Sequence, residues 1–158
     1  MDIDELQSLD SHKVVQHKAR EAYKILQKPV LVDDVTLACD ALNGLPGTLV
    51  RYFLESVGPA GIAKMVSAYD DKSATATVLF GLFDGKSMQV FEGVTEGAIA
   101  GKPGGDPSTP SGHGWNSIFI PNGQNQGENK TFAEMSETEV AKYSPRNKAV
   151  VKLKKFLN

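Results

Sequence analysis

Residues 29–47 read PVLVDDVTLACDALNGLPG. An apolar run from Pro29 to Val32 drives into two adjacent carboxylates, Asp33 and Asp34, before a second apolar segment and a Gly/Pro turn. A short apolar run bounded by turn formers predicts a buried strand over 29–34, with the two acids at its C-terminal end. Folds that alternate strands and helices often place metal ligands and general bases there. Successive strand residues point to opposite faces, so only one of the two acids can face a given cleft. The other faces solvent or caps the next turn. On residues alone both readings stand, with Asp34 the better candidate for chemistry and Asp33 for the bland role.

The chain on either side divides by punctuation. Over 11–27, Val14, Val15, Ala19, Ala22, Ile25 and Leu26 recur at spacings of three and four with charges between them. That pattern predicts an amphipathic helix with Ser11 as its N-cap, ended by Lys28-Pro29. Two short helices are expected over 48–56 and 59–68, separated at Gly58, with Pro59 in a first turn where its missing N–H costs little. Residues 73–83 and 86–97 alternate in a β-rich pattern around Asp84-Gly85, a strong hairpin signal. Residues 101–114 (GKPGGDPSTPSGHG) and 122–130 read as loops, with a strand over 115–120 between them. The tail over 136–157 is helical with an interruption at Ser144-Pro145. No internal repeat is present, and the order of elements predicts a mixed α/β domain spanning 1–158.

Composition bounds what such a domain does. With 41% hydrophobic residues, 23% charged residues and a net charge of -2, the chain has neither the basic balance of a nucleic-acid binder nor that of a membrane-surface protein. Cys39 is the single cysteine, which excludes an internal disulfide and points to a reducing, cytoplasmic setting. The first ten residues, MDIDELQSLD, are acidic and lack a signal-peptide pattern. No apolar run approaches the roughly 18 residues a membrane span needs. His12 and His17, five apart on a helix with no cysteine partner, do not make a zinc site. The Gly-rich loop over 101–112 lacks the Gly-Lys-Ser/Thr pattern of a P-loop.

Four spaced motifs carry a resemblance that runs in order along essentially the whole chain. PVLVDDVTLACDALNGLPG, GHGWNSIFIP, TFAEMS and SPRNKAVVKLKKFL are similar to motifs of the inosine triphosphate pyrophosphatase family. That resemblance implies an elongated mixed β-sheet flanked by helices, two lobes with a cleft between them, and a homodimer. It also implies Mg²⁺-dependent hydrolysis of non-canonical purine nucleoside triphosphates (ITP, XTP, dITP) to monophosphate and pyrophosphate. By position, Glu5 in DELQ and Asp34 match the family's metal-binding acids, Asp34 also its water-activating one, and Trp115, Asn116, Ser144 and Arg146 match its nucleotide-binding residues.

The chain also departs from the family pattern. Members begin with a strand and a lysine-bearing loop for the triphosphate, and this chain starts just past where that segment should end. The resemblance therefore implies the fold without its first strand and helix, and an exposed edge that favours a tight dimer or strand exchange. Val35 replaces a hydroxyl residue, Asn116 an aspartate that reads the base, Ser117 a proline, and Pro145 a histidine. Val140 falls where a lysine is expected, and Lys142 lies two residues out of register. His113 stands where the family has Phe, as a stacking residue or a solvated loop histidine. Trp115 is core or base platform. These changes leave two expectations: a divergent pyrophosphohydrolase, or a catalytically inactive nucleotide-binding or dimerising relative.

Overall fold

A computed structural model describes residues 6–109 and 112–158. Its framework is a sheet of five strands: β1 (Val30–Cys39), β2 (Pro46–Gly47), β3 (Ser73–Phe83), β4 (Met88–Ile99) and β5 (Phe119–Pro121). They lie in the order β2-β1-β3-β4-β5, and every pairing among the described residues is antiparallel. The helices are α1 (Ser11–Leu26), α2 (Val50–Ser67), α3 (Glu137–Tyr143) and α4 (Pro145–Leu157). No described helix is long and apolar enough to cross a membrane.

The strand that opened the sequence reading is longer than 29–34. It runs to Cys39 and pairs with β3 along its full length, from Val30↔Phe83 to Cys39↔Ala74. Asp33 and Asp34 are therefore mid-strand, opposite Phe80 and Leu79. Aspartate is disfavoured in strands, so the acids read as an end; the backbone ladder with β3 overrides that preference. On the other edge of β1, β2 covers only Leu37 and Ala38.

Strand alternation divides the two faces. Val30 and Val32 pack under α1 with Ala19 and Ala22. Val35, Leu37 and Cys39 belong to the larger core on the opposite face, with Ile62 and Val66 of α2 and with Phe119 and Phe132. Cys39 is fully buried, and burial, then the neighbouring Asp40 charge, pushes its thiol up to about 11. It fills the core as an inert hydrophobe.

Local signals place the helices, with two shifts. Asp10, not Ser11, caps α1: its carboxylate accepts from the Lys13 N–H at 3.2 Å, which leaves Ser11 at the first helical position. The two helices expected around Gly58 are the two arms of α2: the helix breaks at Gly58, whose φ 67° and ψ 176° are non-helical and are values that only glycine adopts without strain. Residues 115–120 are not one strand. Gly114–Ser117 is a 3₁₀ turn, entered through Gly114, and only Phe119–Pro121 pairs with β4.

The 136–157 region breaks at Ser144 as its sequence indicates. The Ser144 hydroxyl accepts from the Asn147 N–H at 3.3 Å, and Pro145 occupies the first position of α4. Upstream, Ser136 and Glu139 form a reciprocal cap on α3. The Lys130 ammonium, 2.7 Å away, and then the Ser136 N–H and hydroxyl hold the Glu139 carboxyl down to about 2, from an ordinary 4.5. A depressed folded value adds stability that is complete above pH 4.5 and lost as pH falls towards 2. Acidification across that window is expected to lower amide-exchange protection over α3, measured against the unstructured rate at the same pH, before the sheet responds. A Glu139→Gln chain should be loose already at pH 6 and lack the acid step; equal exchange in both chains at pH 6 would show that the cap does not hold α3.

Candidate functional site

Two cavities adjoin across a wall made of Val35, Leu54 and Trp115, which line both. The first, about 280 Å³, lies beside β1 and is charged: Lys18, Asp33, Asp34 and Arg51 line it, with Thr48. The second, about 380 Å³, is mostly apolar, with Val78 and Phe132 in its lining. His113, Asn116, Ser144, Pro145 and Arg146 line it too.

Each side chain reaches its place through a local rule. Asp33 and Asp34 come from the middle of β1 and face opposite sides of the sheet. Asp34 lies on the α1 side; its Oδ2 is buried without a hydrogen bond, while the residue keeps another interaction. Asp33 lies on the α4 side and takes an ion pair from Arg146, Nη2 to Oδ2 at 2.8 Å. The Arg146 guanidinium also sits over the Phe80 ring, 5.6 Å from its centre. Lys18 of α1 donates to the Asp33 carbonyl at 3.1 Å.

Trp115 packs edge-on against Phe119 and Phe132, at 5.5 and 6.1 Å between ring centres, and is 9% exposed. It is a wall fixed by the core rather than a free stacking platform. Asn116 is half-buried at the rim and presents an amide with both donor and acceptor. Pro145 and Val140 line the same cavity, so apolar surface stands where the resemblance implies imidazole and ammonium.

The structure thus brings Asp34, Trp115, Asn116, Ser144 and Arg146 to one pair of adjoining cavities. Glu5, expected to bind metal, lies outside the described residues. Lys18, Arg51 and Asp33 line the charged cavity without having been singled out as ligand-binding in the sequence. Lys18 carried a signal: it falls four residues after Val14 and four before Ala22, a cation on the packed stripe of its helix. Arg51 carried none. His12 is committed elsewhere, to Glu92 at 2.9 Å.

Among the described residues no three His, Cys, Asp or Glu side chains cluster to hold a metal. The donors present nevertheless suit a hard divalent cation. Mg²⁺ is commonly held by one or two carboxylates together with water and substrate phosphates rather than by an all-protein cage. Asp34 provides such a carboxylate in a cavity that the cations Lys18 and Arg51 also line. In chemical terms the pair of cavities fits a polyanion joined to a flat, mostly apolar head group.

Comparison with known proteins agrees with the motifs. The model of the Ham1 family matches residues 1–156. A Candida albicans protein named inosine triphosphate pyrophosphatase is 40% identical over 99% of this chain and 74% of its own length. The Schizosaccharomyces pombe protein of that name is 44% identical over 92% of this chain and 73% of its own. Among solved structures, a HAM1 protein from Coxiella burnetii superposes with a TM-score of 0.83 at 27% identity, covering 99% of this chain and 80% of that one. A dITP/XTP pyrophosphatase from Mycobacterium abscessus gives 0.75 at 26% identity, covering 97% and 80%.

Proposed function

The chain belongs to the Ham1 family, and we propose from that premise that it is a Mg²⁺-dependent nucleoside-triphosphate pyrophosphohydrolase. Its substrates are non-canonical purine nucleotides (ITP, XTP and dITP), released as monophosphate and pyrophosphate. The observation that carries the reading is the pairing of a charged cavity holding Asp34, Lys18 and Arg51 with an apolar one bordered by Asn116 and Arg146. The homodimer and a single ITPase-like domain over 1–158 belong to the same proposal and rest on the family resemblance, and the cytoplasmic setting rests on the single cysteine, Cys39.

The residues divide the work by position. The apolar cavity receives the base against the fixed Trp115 wall, with the Asn116 amide against its polar edge. Lys18 and Arg51 draw the phosphates to the β1 side and neutralise charge that builds during cleavage, and Arg146 contacts the bound nucleotide where the two cavities meet. Asp34, with Glu5, would hold Mg²⁺, which screens the polyphosphate and polarises the bond under attack. Asp34 also takes the proton of the attacking water at its carboxylate.

A second reading is favoured by one observation: Val140 and Pro145 line the apolar cavity where cations are expected. Losing such cations costs transition-state stabilisation more than ground-state binding, which describes an impaired relative that binds nucleotide without turning it over. Pyrophosphate release from ITP, XTP, dITP and ATP with Mg²⁺ separates the two. Release from ITP or XTP above that from ATP is expected. Calorimetric binding of ITP without release would establish the second reading, and absence of both would overturn each.

A further inference from the structure

Asp33 is the acid that the pyrophosphohydrolase reading leaves without a task. Asp33 lines the charged cavity, while the partner of its carboxylate, Arg146, lines the apolar one. The pair therefore crosses the boundary that a nucleotide must span, base on one side and phosphates on the other. Resting on that reading, we infer that Asp33 is a positioning residue that holds the Arg146 guanidinium at this boundary for the nucleotide.

Three constraints meet on Arg146. Asp33 fixes one edge of the guanidinium at 2.8 Å, and the Phe80 ring lies against its face at 5.6 Å. Phe80 is the cross-strand partner of Asp33, so one register of β1 against β3 sets both contacts. The third is the start of α4, fixed by the Ser144 cap and by Pro145. A planar guanidinium held by a carboxylate on one edge keeps its remaining N–H groups for a second anion, in a geometry that lysine cannot reproduce. Arg146 and Asp33 keep 48% and 43% of their side-chain surface exposed, so the pair adds little to stability. Ordering the arginine before the ligand arrives is what such a pair does contribute, because a long side chain already in one rotamer loses less freedom on binding.

The two acids thus separate by role as they separate by face. Asp34 acts on the reacting groups. Asp33 acts through Arg146, and its removal weakens nucleotide binding more than turnover.

The test is a double-mutant cycle on the intact chain with ITP and Mg²⁺, using Asp33→Asn, Asp33→Glu, Arg146→Ala and Asp33→Asn with Arg146→Ala. Asp33→Asn is expected to raise KM about tenfold, the scale of one charge-assisted hydrogen bond, with kcat within about twofold. Asp33→Glu should restore most of the affinity, and adding Asp33→Asn to Arg146→Ala should change KM no further. Additive effects, an unchanged or lowered KM, or a loss confined to kcat would overturn the inference while leaving the proposed function standing. A parent chain that binds ITP without hydrolysing it supports the same cycle read by calorimetric Kd. A parent that binds no nucleotide overturns the proposed function, and this assignment with it. Melting curves identify any variant that fails to fold, for which Asp33→Ser replaces Asp33→Asn.

Discussion

Asp34→Asn is expected to remove pyrophosphate release from ITP, by about 10³-fold or more in kcat, while the protein still folds. The substitution keeps the shape of the side chain and takes away its charge and its ability to accept a proton. General-base catalysis alone is worth about 10²–10⁴-fold, and a weakened hold on Mg²⁺ adds to that loss. Folding is spared because β1 is fixed by its backbone ladder to β3, in which Asp34 lies opposite Leu79 whatever its side chain carries. Initial rates of pyrophosphate release, set beside calorimetric ITP binding, measure the effect. The expected pattern is a collapse of kcat with a much smaller change in binding. A variant that keeps a tenth of the parent rate would remove Asp34 from the chemistry and move the search for the base to Glu5. Asp33→Asn offers the internal contrast, since the neighbouring acid on the opposite face is expected to act on KM.

What the sequence made legible follows from the range of the interactions involved. The helix over 11–27 and the hairpin at Asp84-Gly85 depend on spacing and turn chemistry that span a few residues. The structure places α1 at Ser11–Leu26 and the paired strands β3 and β4 on either side of that turn. The turn is held by Asp84 itself, whose carboxylate accepts from the Lys86 and Ser87 N–H groups at 2.8 and 2.7 Å. Ser144 and Pro145 were readable for the same reason. The length of β1 was not, because what carries it through two carboxylates is a ladder to a strand some forty residues away, and no local propensity reports that. The 3₁₀ turn over Gly114–Ser117 was hidden likewise: Trp115 looks like a strand residue until Phe119 and Phe132 are folded against it.

The site shows the same division. Asp34, Trp115, Asn116, Ser144 and Arg146 were reached through motif resemblance, which encodes tertiary contacts by proxy. The cations Lys18 and Arg51 enter the charged cavity from two helices that share no motif with β1. The Asp33–Arg146 pair joins the first and the last of the four motifs. Reading Asp33 as bland was reasonable for a mid-chain acid with no visible partner; a helix more than a hundred residues later supplies one.

That helix stands where it does because of one glycine, and Gly93→Ala is expected to be the most damaging single methyl group in this chain. Gly93 lies on β4 opposite Val78, which in turn lies opposite Val35, so all three share the α4 face of the sheet. A Cβ added there would come within 1.9 Å of the Pro145 carbonyl oxygen and 2.6 Å of the Ala149 nitrogen. Both are backbone atoms of the first turns of α4, and neither can swing aside as a side-chain tip can. Either β4 bows or α4 lifts, and lifting α4 carries Ser144 and Arg146 away from the cavity. Overpacking a tight interior usually costs about 1–3 kcal/mol, and two backbone collisions place this case at about 3 kcal/mol or beyond. For a chain of this size that lowers Tm by about 6–12 °C. Nucleotide affinity should fall with it even below the melting range, because Arg146 no longer reaches Asp33. Gly101→Ala is the control: a Cβ there meets nothing within 4 Å, and its effect should stay within about 0.5 kcal/mol. A Gly93→Ala chain that melts within 2 °C of the parent, by the same scale of about 2–4 °C per kcal/mol, would mean that α4 is free to shift on the sheet. The ordered boundary between the two cavities would then need another cause.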